Sequence, residues 1–298
     1  MAISNRSERP VAIRATSRRV VVELRGGVEL PYTDDIGSDL EGHAPGFWRQ
    51  LGERFPGIRM RRLFTTVTPE RLREIVTRAQ RTAPDGRAGI DLARCFFIDT
   101  RDARQAAGLV AAVQRRTDLV ALAYVDPPSA DASVAGGDEC AAERDPLAAA
   151  PRGIDAAFAA GVAGGRGEGQ HFVDIEAGWT LDHAGLRTYG LRAPIAGAIK
   201  PDARDHGTAV LGIVTGIAPH IASMHVASVW HTGPGRDRQF RQNALLAAID
   251  MLCRLASGGR PSGVLLLEQV VHYDVLVPYR GAHTIWRSEE RRVGKECR

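Results

Sequence analysis

From His206 to Gly235 the chain carries no Asp, Glu, Lys or Arg. A run of that length without charge belongs in a bilayer or in a protein interior. Pro219, His220 and His225 interrupt it, along with several Gly, Ser and Thr, and a spanning helix tolerates that poorly. What remains is a buried helix over Gly207–Val214, a turn, and a buried strand over Ile221–Val229. Two other apolar runs, His171–Ile175 and Val264–Leu267, also lack the polar alternation of a strand with one wet face. Ala244, Leu245, Ala248, Ile249 and Leu252 mark a further helix, which Gly258-Gly259 stops. Continuous apolar strands between helices predict a parallel sheet covered on both faces. Chemistry in such folds lies at the carboxyl ends of the strands, and Asp174 sits near one.

The first half of the chain has a different texture. Arg19–Leu24 is a β-branched run ending at Gly26-Gly27, a strand signal. Thr68-Pro69-Glu70 reads as N-cap, N1 proline and first-turn acid, and Leu72, Ile75, Val76 and Ala79 follow on one helical stripe. Cys95–Ile98 is a short strand. Asp99 or Thr100 is placed to cap a helix whose buried face is Ala106, Leu109, Val110 and Val113. Leu119–Val125 is a last strand, closed by Pro127-Pro128. Together these predict a small α/β sandwich. The segment from Pro127 to Arg152, rich in Ala, Asp, Gly and Pro, reads as a linker.

Charge excludes one class of partner. The formal net charge of the chain is +4, yet Met1–Arg19 alone carries +4 and Arg287–Arg298 another +2, which leaves the body at −2. A nucleic-acid face needs a basic patch on the folded body, so no nucleic-acid partner is expected, and no membrane partner either. The basic leader has no apolar h-region and is not a secretory signal. Four cysteines, none at C-x-x-C spacing, make neither a zinc site nor a disulfide scaffold.

Three constellations are candidates for chemistry. Gly165, Gly167 and Gly169 imitate a dinucleotide loop, but they precede the strand instead of following it, so no cofactor is expected. His183, His206, His220, His225 and His231 form no H-x-x-x-H pair, and no metal site is expected from their spacing. The third is Asp174 with His206. A carboxylate bonded to one ring nitrogen fixes the tautomer and leaves the other nitrogen free to take a proton from a nucleophile. The glycine and threonine after His206 suit close approach to a neighbouring element.

The run "HFVDIEAGW", then "DHGTAVLGIVTG", then "GIAP", resembles the subtilisin-like serine proteases. There an Asp ends the first core strand, a His begins a buried helix with H-G-T-x-V-x-G, and G-V-A-P leads to the next strand. His206 to Gly212 and Gly216 to Pro219 reproduce the second and third elements. The 32 residues from Asp174 to His206 equal the subtilisin interval. The usual Asp-Thr-Gly is here Asp174-Ile175-Glu176-Ala177-Gly178, and spacing favours Asp174 over Glu176 as the orienting acid.

The resemblance implies a serine endopeptidase that cuts a peptide or protein substrate with an Asp-His-Ser triad. Its expected layout is a leader (1–18), a propeptide-like α/β domain (19–126), a linker (127–152), a truncated subtilisin-like parallel-sheet domain (153–286) and a charged tail foreign to the fold (287–298). The chain's own propeptide would be an intramolecular partner. Glu268 and Gln269, after the strand Val264–Leu267, would lie at the substrate edge. Secretion is the family tendency, though no signal segment is legible. The family's serine follows its histidine by about 157 residues, and neither a G-T-S motif nor the oxyanion asparagine segment occurs in this sequence. The chain alone is therefore expected to be poorly folded and inert. The rival reading is a catalytically dead, subtilase-derived module that binds peptides by β-augmentation.

Overall fold

A computed structural model describes residues 18–28, 30–82, 91–127, 129–131, 147–232, 238–256 and 263–271. The fold mixes helix with both antiparallel and parallel sheet. The leader 1–17, the tail 287–298 and the helix stop at Gly258-Gly259 lie outside the described residues.

In the N-terminal unit, β1 (Arg19–Leu24) is followed by α1 (Gly37–His43), α2 (Phe47–Arg54), β2 (Met60–Arg62) and α3 (Pro69–Thr82). Then come β3 (Cys95–Asp99), α4 (Ala103–Val113) and β4 (Val120–Val125). The four strands form one sheet in the order β2-β3-β1-β4, with every pairing antiparallel. Thr68 caps α3 as its sequence predicts, accepting a bond from Arg71 N at 3.2 Å. The cap of α4 is Asp102, whose carboxylate accepts from Gln105 N at 2.7 Å; Asp99 ends β3 and Thr100 bonds Arg18 O instead. Val20, Val21 and Val22 are all buried, so both faces of β1 are covered.

One cover comes from the second half of the chain. It holds α5 (Ala156–Ala160), β6 (His171–Glu176), α6 (Arg204–Ile217), β7 (Ser223–Ser228) and the short antiparallel pair β8 (Trp230–His231) and β9 (Arg238–Gln239). It continues with α7 (Arg241–Leu255), β10 (Gly263–Leu267) and β11 (Gln269–Val271). Strands β10, β6 and β7 form the expected parallel sheet, with β6 in the centre. Val173, Ile175 and Ala227 pack on the α7 side with Ala244, Ala248 and Leu252. Phe172, Met224 and Val226 pack on the other side with Leu211 of α6.

Helix α7 serves both sheets. Leu246 is buried in the N-terminal core. Asn243, 1% exposed, accepts from Thr65 N at 2.7 Å and donates Nδ2 to Leu63 O at 2.9 Å. Arg71 of α3 pairs with Asp250 of α7 at 2.6 Å. The Arg19 guanidinium lies 3.8 Å from the Phe240 ring centre and 5.1 Å from that of Phe97.

The expected linker 127–152 holds an element of its own, β5 (Ser129–Asp131), which begins three residues after Asp126. It pairs antiparallel with β11, Gln269 opposite Asp131 and Val271 opposite Ser129. That pairing joins residues about 140 apart, so no local pattern announces it.

Candidate functional site

Strand register brings the acidic groups together. Alternation sends Asp174 and Glu176 to the same face of β6, with Glu176 one step nearer the carboxyl end. Ile175 pairs with Leu267 of β10, so Glu268, the next residue of that neighbour, arrives beside Glu176. Helix α6 begins at Arg204, and His206 lies in its first turn over this end of the sheet.

Two glycines set the distance. A Cβ on Gly207 would run into the carbonyl oxygen of Gly178 and, at 2.7 Å, the indole of Trp179. A Cβ on Gly178 would meet Lys200 O at 2.5 Å. The close approach expected after His206 is therefore present, and the ring that uses it belongs to Trp179. Thr208 ties the same corner: its Oγ1 accepts from Thr180 N at 2.8 Å and donates to Arg204 O at 2.6 Å.

His206 faces two carboxylates. Its Nε2 lies 3.3 Å from Glu176 Oε1 and 3.5 Å from Glu268 Oε2. Glu176 is 1% exposed, whereas the His206 and Glu268 side chains keep partial contact with solvent. These three ligand-type atoms all lie within 4.8 Å of one another.

The expected pair of Asp174 with His206 is replaced. Among the described residues no hydrogen bond or ion pair joins them. Asp174, fully buried, accepts instead from Trp179 Nε1 at 2.7 Å. Burial pushes its carboxyl up to about 7; the Trp179 bond opposes that rise and the charge of Glu268 adds to it. The reason is geometric: Asp174 sits one pleat below the strand end, under the indole, and Glu176 occupies the place that the helix terminus reaches. Period-two alternation puts both acids on one strand face and so offers Glu176 as well as Asp174, without choosing between them. Glu268, expected at a substrate edge, is part of the His206 cluster. Gln269 begins β11, whose backbone is paired with β5.

The other histidines lie elsewhere. His220 pairs with Glu168 at 3.1 Å, His183 accepts from Gly185 N, and His231 stands edge-on to Phe240. His225 shares the Ser223 hydroxyl with His171, at the amino ends of β6 and β7.

The chain matches no family model, no curated protein and no solved structure. Among the described residues no helix is long and apolar enough to cross a membrane.

Proposed function

We propose that this chain carries the acid–base half of a subtilisin-like serine endopeptidase. The observation behind the reading is the buried Glu176 carboxylate 3.3 Å from His206, at the carboxyl end of a parallel sheet and inside H-G-T-x-V-x-G. Glu176 takes the orienting role that spacing assigned to Asp174. In that role the ring nitrogen facing the carboxylates must carry the proton, so that the pair would tighten from the present 3.3 Å. The opposite nitrogen then accepts the proton of a serine hydroxyl as its oxygen bonds to the peptide carbonyl carbon. His206 returns that proton to the leaving amine, and an acyl-enzyme remains for water to cleave. The reading further requires a serine nucleophile and oxyanion donors, and no G-T-S motif in this sequence marks them. The substrate is an extended peptide, because the strand that follows Glu268 already accepts an antiparallel strand, β5, from the chain's own 127–152 segment. In a precursor that segment would occupy the edge until it was cut.

The same pairing also suits the second reading, a module that holds extended peptides without cleaving them. Sequencing the source DNA across codon 286 and onward separates the two. The protease reading requires a frame that continues to an oxyanion asparagine and a G-T-S serine. The protein made from that frame should label with a fluorophosphonate, and His206→Ala should abolish the label. A stop codon directly after Arg298 removes the protease reading and leaves the binding module.

A further inference from the structure

We infer that Glu176, His206 and Glu268 form a binding site for one divalent transition-metal ion of the zinc class. Distances carry the argument first. A charge-assisted N–H···O bond is normally about 2.7–2.9 Å, and both carboxylate oxygens stand farther than that from His206 Nε2, at 3.3 and 3.5 Å. Nor does Nε2, a buried atom, make a hydrogen bond of proper geometry. Zinc bonds to imidazole nitrogen and carboxylate oxygen are about 2.0–2.2 Å long, which in a tetrahedron sets neighbouring ligand atoms about 3.4 Å apart. The two separations from His206 Nε2 match that spacing, and the two carboxylates offer oxygens within 4.8 Å of each other.

The chemistry of the donors agrees. Imidazole nitrogen and carboxylate oxygen are both zinc ligands, and three protein ligands leave a fourth position for water. The three come from a strand, a helix turn and a strand end, each fixed by packing. Gly207 and Gly178 pin the helix to the loop, and β10 is in register with β6. Two carboxylates facing one imidazole nitrogen also favour a cation between them. Asp174 lies on the same strand face as Glu176, and its Oδ1 is buried without a partner. Spacing rules missed this set because each ligand comes from a different element.

The inference does not rest on the protease reading, but it bears on it. A cation on Nε2 forces the ring proton onto Nδ1, the nitrogen that the proposed reaction needs bare. Metal binding and general-base catalysis by His206 would therefore exclude each other.

The test uses the 298-residue chain, stripped with a chelator and titrated with Zn2+ alone by calorimetry, and with Co2+ alone by visible absorption. The expected result is one ion per chain, with the intense d–d bands of four- or five-coordinate Co2+. His206→Gln and Glu268→Gln should each weaken binding at least tenfold, while His220→Gln leaves it unchanged. Far-UV circular dichroism of each variant separates loss of a ligand from loss of fold, and Glu268→Gln, on a partly exposed side chain, is the variant that keeps the fold. Absence of binding by the parent chain overturns the inference. So does binding that survives both ligand substitutions, or that His220→Gln abolishes.

Discussion

The two sheets solve burial in different ways. The N-terminal sheet is antiparallel, and its core is one continuous apolar cluster running from Val20 through Leu40, Ile98 and Leu109 to Leu119. The parallel sheet has two small clusters, one on each side, and its fully buried residues include Asp174, Glu176 and Ser228. Its edge strand β10 leaves Val264 half exposed. The first unit is built for stability. The second holds Asp174 and Glu176 almost fully buried on one strand, which costs stability, whereas the buried Asp126 of the first is paired with Arg19 and Arg241. Helix α7 links them, with Leu246 in one core and Ala244, Ala248 and Leu252 in the other.

Truncating one core residue in each unit gives the strongest test of this contrast. Leu109 and Leu211 are both 0% exposed. Each Leu→Ala change should cost about 2–5 kcal/mol. Hydrogen exchange read peptide by peptide should show Leu109→Ala opening both units, because α7 rests on the first sheet. Leu211→Ala should open only the parallel sheet. Equal spread from both changes would break the asymmetry.

The buried carboxyl of Asp174 makes the second unit sensitive to pH. Its folded pKa, raised to about 7, lies above the ordinary carboxylate value of about 3.9. The folded state therefore binds the proton more tightly than the unfolded state. The contribution of Asp174 to stability is highest below about pH 4, falls as pH rises to about 7, and is then level. Asp174→Asn keeps an acceptor for Trp179 and removes the titration. It should flatten the slope and raise stability at pH 8 by up to a few kcal/mol, as measured by urea unfolding at several pH values. An unchanged slope would mean that Asp174 is not the group responsible.

Asn243 tests the link itself. Asn243→Ala removes the acceptor of Thr65 N and the donor to Leu63 O, leaving two backbone groups without those partners. The expected cost is about 1–3 kcal/mol. Its signature is a single unfolding transition that splits into two in calorimetry. A single transition at lower temperature would place the coupling in Leu246 and the Arg19–Phe240 stack instead.

How much of this could be read from the chain follows from the range of each interaction. Helices α3, α4 and α7 and strands β1, β3, β4, β6 and β10 are written in local periodicity, and they were legible. The cap of α4 was legible too, though misassigned: Asp102 and Gln105 have capping-box spacing, and Gln105 Oε1 accepts from Arg101 N at 2.6 Å. Helices α1 and α2 are short, and their apolar residues make too few turns to show a period. The β5–β11 pairing is a long-range event with no local signature. At the site, the motif put His206 at the start of a helix, and it lies in the first turn of α6. Its partner depended on which of two acids on one strand face the helix reaches, and that is decided by Gly178 and Gly207 rather than by spacing.

The smallest effect concerns the corner that holds this geometry. Thr208 Oγ1 joins Thr180 N to Arg204 O, linking the loop after β6 to the first turn of α6. Thr208→Val keeps the shape and the branching but loses both bonds. The stability cost should be about 1 kcal/mol, because the Arg204 carbonyl is near solvent and can turn to water. The local cost should be larger than the global one. With the clamp gone, the first turn of α6 frays and His206 leaves the carboxylates, while the N-terminal sheet is untouched. NMR resonances of the His206 ring, read at one fixed pH, should then move away from their parent positions, with the melting temperature lowered by only a few degrees. If the ring resonances stay at their parent positions, the glycine contacts alone position His206, and the threonine of the motif serves only to end the loop.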